Sequence, residues 1–160
     1  MKMFSSPSGL AESARREIAQ ALDEVLVDGI DLQVQTKVAH WNVKGPFFGV
    51  LHPLFDTFVA SLSQHNDEIA ERAVTLGGLA TATVRRAAAA SRLPELPVET
   101  THGGDLVRLL AERFERHLVG LRSARTVAEK NGDPDTVDLL TEVVSELEKH
   151  GWMLRATIES

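Results

Sequence analysis

Residues 37–73 read KVAHWNVKGPFFGVLHPLFDTFVASLSQHNDEIAERA. The Lys-Gly-Pro at 44–46 divides two helical stretches, because proline lacks an amide donor and turns the residue before it away from helical geometry. After the break, Leu51, Phe55, Phe58, Leu62, Ile69 and Ala73 recur at the spacing of an amphipathic helix. The same stretch also carries His40, His52, Asp56, Asp67 and Glu71. Imidazoles and carboxylates are ordinary ligands of iron, zinc and manganese.

Working outward from this stretch, helical periods continue and strand alternation is almost absent. A first helix is expected from about Gly9 to Val43, with Ile18, Leu22, Val25, Leu26, Ile30 and Val34 as its apolar stripe. The second runs from about Phe48 to Leu76, where Gly77 and Gly78 stop it. ATVRRAAAASR at 82–92 predicts a short helix inside a long connection, followed by the proline-punctuated loop LPELPVETTHGG. The third helix spans about Asp105 to Asn131 and the fourth continues to about Ile158. Asp133 is placed as N-cap of the fourth, with Pro134 at its first position. Four long helices with one long middle connection predict an all-α four-helix bundle. A single domain over 1–160 is expected, with residues 1–8 a short flexible N-terminus.

The composition fits that fold and narrows the chemistry. With 160 residues, 43% hydrophobic and 25% charged, the chain suits one soluble domain with a sizeable core. The absence of cysteine excludes disulfides, thiolate zinc sites and iron–sulfur clusters. MKMFSSPSGL lacks the apolar segment of a secretory signal, and no apolar run approaches the roughly 20 residues that span a bilayer. A cytoplasmic location is expected, with the nucleoid as its alternative setting. The net charge of −6 disfavours DNA phosphate and favours cations.

The spacing of the five polar residues sets the geometry of any site. His52 and Asp56 are four apart, as are Asp67 and Glu71, so each pair shares a helical face. At about 100° per residue all four fall within about 100° of one another. The pairs are 15 residues apart, roughly 22 Å along the axis. One metal ion with bonds near 2 Å cannot span that gap. Two copies of the helix crossing antiparallel near residues 61 and 62 would instead bring each His52/Asp56 pair to the partner's Asp67/Glu71 pair, generating two equivalent sites about a two-fold axis. His40 lies just before the Gly-Pro turn, level with His52 on the neighbouring helix. Taken singly, such a histidine is more often a hydrogen-bonded core residue, and such a carboxylate pair a solvated face. The joint pattern is what points to metal.

HWNVKG at 40–45, HPLFD at 52–56 and DEIAERAVTLGG at 67–78 together resemble the Dps family of ferritin-like proteins. The resemblance covers nearly the whole chain, including the ending EKHGWMLRATIE. It implies a ferritin-like four-helix bundle assembled as a hollow dodecamer. It also implies a ferroxidase that oxidises Fe(II), preferably with hydrogen peroxide, and stores the ferric mineral inside the shell against oxidative damage. The cofactor implied is iron, Fe(II) and Fe(III), at a di-iron or mono-iron centre. His40, His52 and Asp56 would come from one subunit and Asp67 and Glu71 from its two-fold partner. Glu71 would anchor the iron most firmly, and His52 with Asp56 would hold the weaker position. By the same resemblance, Trp41 is a candidate electron donor beside the site. Its other reading is an aromatic packed between helices. Asp133, Asp138 and Glu142 would line a pore that draws in Fe(II).

Two features bear on competing readings. Bundles that bind two irons within one chain use paired Glu-x-x-His motifs, and the only one here, Glu99 to His102, sits in the proline-rich loop. His65 is expected to face away from the five ligands, and His117 and His150 have no partner at ligand spacing. The competing function is a nucleoid-associated, DNA-compacting protein with little iron chemistry. Lys2 alone precedes the first helix as a basic residue, and phosphate affinity scales with the cations supplied. Twelve chains at −6 each would carry about −72 formally, which repels DNA further. DNA binding is therefore expected to be weak or absent, with no membrane partner.

Overall fold

A computed structural model describes residues 1–158. Helices α1 (Glu12–Asn42), α2 (Phe48–Thr75), α4 (Gly103–Lys130) and α5 (Pro134–Ile158) form the bundle, and short α3 (Val84–Ala90) lies in the connection between α2 and α4. Contacts at the two ends give the chain direction. Lys44, in the α1–α2 turn, donates its amide to Thr101 just ahead of α4. At the other end Asn131, after α4, reaches Glu17 near the start of α1, and Arg72 near the end of α2 holds Asp133 before α5. Thus α2 and α4 run one way, α1 and α5 the other, and the middle connection travels the length of the bundle.

The predicted core of α2 is buried throughout, and the α1 stripe holds only in part. Ile18, Leu22, Val25 and Leu26 are buried, Ile30 is half-buried and Val34 is 48% exposed. The cause is helical drift: steps of four advance about 40° too far each time, so Val34 lies about 160° from Ile18. Leu32 and Ala39, which stay within about 60° of Ile18, take over as core residues.

The connection is fixed by acids that α1 buries. Asp23 accepts from the amide and hydroxyl of Thr81, each at 2.7 Å, and from Arg86 at 3.0 Å. Asp28 accepts from the amide and guanidinium of Arg92 at 2.9 and 2.8 Å. Arg113, 1% exposed, donates to Gln35, to the Leu109 carbonyl and to the Glu95 carbonyl. Burial lowers its pKa from the usual guanidinium value. A buried charge so bonded costs several kcal/mol to strip of one partner, on the order of 3–5, so these contacts give the connection one path.

Residues 1–8 lie against the end of α2. Ser6 and Ser8 use their hydroxyls to accept the amides of Ser8 and Leu10, local bonds that compete with helix and delay α1 to Glu12. The segment then caps α2. Gly77 ends that helix at φ 87°, and the last carbonyls of α2 lack helical donors. Ser6 donates to the Thr75 carbonyl at 2.6 Å, Arg15 to the Leu76 carbonyl at 2.8 Å and the Phe4 amide to the Gly77 carbonyl at 2.7 Å. A side chain at Gly77 would sit 2.4 Å from the Phe4 carbonyl oxygen, so glycine is needed for both turn and seat.

Candidate metal centre

The end of α1 and the start of α2 meet across a turn made by Gly45 at φ 96°. There His40 and His52 stack, ring centroids 3.8 Å apart at 23°. The Nδ1 of His40 lies 2.7 Å from the His52 carbonyl oxygen, and the Nδ1 of His52 lies 3.0 Å from the His40 carbonyl oxygen. A carbonyl only accepts, so each Nδ1 carries a proton, and in the neutral ring each Nε2 keeps its lone pair. Orientation of a ligating imidazole through its other nitrogen is the usual second-shell arrangement at metal sites.

Asp56, one turn beyond His52, is exposed and ion-paired with Lys37 of α1. That hydrogen bond is the largest influence holding the Asp56 carboxyl below its ordinary pKa, with the nearby imidazoles acting in the same direction. Asp67 and Glu71 lie exposed farther along the same unbroken helix and make no ion pair among the described residues. Asp67 lines an open groove of about 700 Å³ with Gln33, Asn66, Ser63 and the backbone near Thr81. Among the described residues no three His, Asp or Glu side chains converge on one point that could hold a metal ion. Along α2, Ala60, Ser63 and Val74 are exposed and Val59 and Ala70 half-buried.

The other expected site residues divide. Trp41 is 66% exposed, so it does not pack helix against helix within this chain. Asp133 is 2% exposed. It accepts from the Thr136 amide and hydroxyl at 3.3 and 2.5 Å and from Arg72 at 2.7 Å. Burial acts to raise its pKa, but those bonds outweigh it and hold the carboxyl below the usual range. Its carboxylate is thus spent on the predicted cap and on Arg72, not turned to solvent as a pore lining requires. Asp138 and Glu142 are exposed, one turn apart on α5.

His65 does face away from the candidate ligands. Its Nδ1 lies 3.2 Å from Glu68 and its Nε2 3.1 Å from Glu146 of α5. Glu146, kept below its usual pKa chiefly by the Ser61 hydroxyl, also lies 3.7 Å from the Nε2 of His150. His150 packs on Phe58, and burial lowers its pKa. Sequence reasoning missed Lys37, although it precedes His40 by one helical turn and so shares its face.

A ferritin-like domain model matches residues 19–160. The chain is 35% identical over 159 residues to the DNA protection during starvation protein of Agrobacterium fabrum, covering 99% of this chain and 98% of that one. This chain belongs to the Dps family. DpsC from Streptomyces coelicolor superposes with a TM-score of 0.94 at 29% identity, covering 99% of this chain and 93% of that one. A Dps protein from Vibrio cholerae, described as a member of a broad superfamily of ferritin-like diiron-carboxylate proteins, gives 0.91 at 26% identity, over 99% of this chain and all of that one. The all-α Dps bundle with a short helix in its middle connection is the fold expected from the sequence. No described helix is long and apolar enough to cross a membrane.

Proposed function

We propose that this chain is the subunit of a cytoplasmic ferroxidase and iron-storage shell, a Dps dodecamer, whose metal centres are shared between two-fold partners. One observation carries the reading: the reciprocal bonds of His40 and His52 use both Nδ1 atoms and leave both Nε2 atoms unpartnered, with Asp56 near enough for both rings to act on its carboxyl. The second carboxylate pair lies too far along α2 to reach them in the same chain. His40, His52 and Asp56 of one subunit would then receive Fe(II) with Asp67 and Glu71 of its partner. Imidazole binds ferrous iron well, while carboxylate oxygen suits the ferric product.

Iron is here the substrate. Two ferrous ions give one electron each to one hydrogen peroxide, which takes up two protons and leaves as two waters. That pairing avoids the one-electron route to hydroxyl radical. Trp41, exposed beside His40, would surrender an electron to an oxidant that escapes. Asp138 and Glu142 remain the acidic pair for drawing in Fe(II). DNA binding is weak or absent in this reading, because residues 1–8 are bound to α2 and carry one lysine. A plasmid mobility shift at physiological salt would overturn that and favour the competing nucleoid role.

Complementation tests the sharing directly. One variant combines His40→Ala with His52→Ala, and the other Asp67→Ala with Glu71→Ala. Each alone should lack peroxide-dependent Fe(II) oxidation. In randomly mixed assemblies half the dimers are mixed, and each mixed dimer rebuilds one intact site, so about a quarter of wild-type activity should return. No recovery in assemblies shown to contain both chains would sink the shared centre.

A further inference from the structure

The His52 ring is held from two elements. From α1 the His40 ring stacks on it, with centroids 3.8 Å apart at 23°. From its own helix comes Phe48, the first residue of α2 and one turn ahead of His52. Helical side chains lean back toward the N-terminus of their helix, so the imidazole comes down on the Phe48 ring, with centroids 4.9 Å apart at 31°. Phe48 is 48% exposed and takes no place in the buried core, so core packing does not account for this contact. The bond from the Nδ1 of His52 to the His40 carbonyl fixes one atom of the imidazole and leaves the ring free to swing about it. Contact with two further rings removes the swing and sets the direction of Nε2.

We propose that Phe48 is a positioning residue for His52: its ring holds the imidazole in the orientation that presents Nε2 to the metal. This deepens the shared-centre reading and rests on it. Phe48 has no lone pair to offer a metal, so it acts through His52. A ligand ordered before binding spares the entropy of ordering it afterwards, and neighbours that lock a ligand's rotamer give a metal site its geometry. A bound metal also draws positive charge onto the imidazole, which an aromatic face attracts. An aromatic pair at this spacing is worth roughly three- to tenfold in affinity.

Anaerobic titration of the assembled full-length protein with Co(II), a stand-in for Fe(II) whose visible absorption reports its ligands, tests the proposal. Phe48→Met keeps the apolar bulk and removes the ring, and its assemblies are matched to wild type by native mass. It should weaken Co(II) binding roughly three- to tenfold. Phe48→Tyr keeps the ring and should bind as wild type. In a His52→Ala background Phe48→Met should change nothing further, because its effect passes through His52. Equal binding by Phe48→Met and wild type overturns the proposal. So does the same loss with and without His52, which would make Phe48 a general support of the subunit. Phe48→Leu takes the place of Phe48→Met if that variant does not assemble, and failure of both to assemble also overturns the proposal. The variant combining Asp67→Ala with Glu71→Ala separates the two ideas. If it and His52→Ala lose Co(II) while Phe48→Met does not, only the Phe48 proposal falls. If both bind Co(II) like wild type, the shared centre falls as well.

Discussion

His117 supplies a prediction whose size follows from the structure. It lies in the middle of α4, 1% exposed, with its Nδ1 unpartnered. The space beside it exists because residue 29 is glycine: a Cβ there would sit 3.4 Å from the His117 ring and 2.1 Å from the Asn66 side-chain oxygen. Burial pushes the His117 pKa from 6.5 down to about 4, against the opposing pull of Asp28. The folded chain therefore keeps this imidazole neutral, while the unfolded chain protonates it near 6.5. Between those values the unfolded state binds the extra proton, so stability falls as pH drops from 6.5 towards 4 and this contribution then levels off. At about 1.4 kcal/mol per unit, the loss is about 3 kcal/mol. Urea unfolding at fixed protein concentration, at neutral pH and near the lower pKa, measures it for wild type, His117→Gln and His117→Leu. Carboxylates and His150 add acid sensitivity of their own, but all three proteins share it. Wild type should lose about 3 kcal/mol more than either variant over this range. Parallel pH profiles would refute the reasoning.

Three further outcomes follow from the end of α2 and the start of α5. Asp133→Ala removes a cap and strands Arg72, so stability should fall by about 3 kcal/mol in thermal or urea unfolding, with iron uptake per folded shell unchanged. Asp138→Asn combined with Glu142→Gln should do the reverse, slowing Fe(II) uptake with little change in melting temperature. Equal uptake in that double variant and wild type would remove the pore role. Deleting residues 1–8 should uncover the last carbonyls of α2, cost on the order of 1–2 kcal/mol and speed amide exchange in the final turn of α2. Unaltered exchange there would show that the segment does not cap the helix.

Legibility followed physical range. The buried face of α2 was readable because apolar period and burial are the same fact on a helix, and Asp133 with Pro134 because capping is local. Val34 misled because a run of four-residue steps resembles a stripe until its angular drift is summed. Asp23, Asp28 and Arg113 gave no local sign of burial, since what makes them tolerable inside, Thr81, Arg86, Arg92 and Glu95, lies 18 to 64 residues away. The seat of the N-terminal segment was hidden for the same reason, because its partners are carbonyls at the far end of another helix.

The candidate centre shows both limits at once. Spacing along α2 alone separates the two pairs, whereas the tautomers of His40 and His52 depend on two backbone carbonyls meeting across the Gly45 turn. Lys37 is hidden in another way. It is not a ligand type, so a search for donors passes over it, although it shares the face of His40. The residues that bind a cation can be found by their lone pairs. The cation that already pairs with one of the carboxylates, Lys37 on Asp56, is found only once the chain is folded.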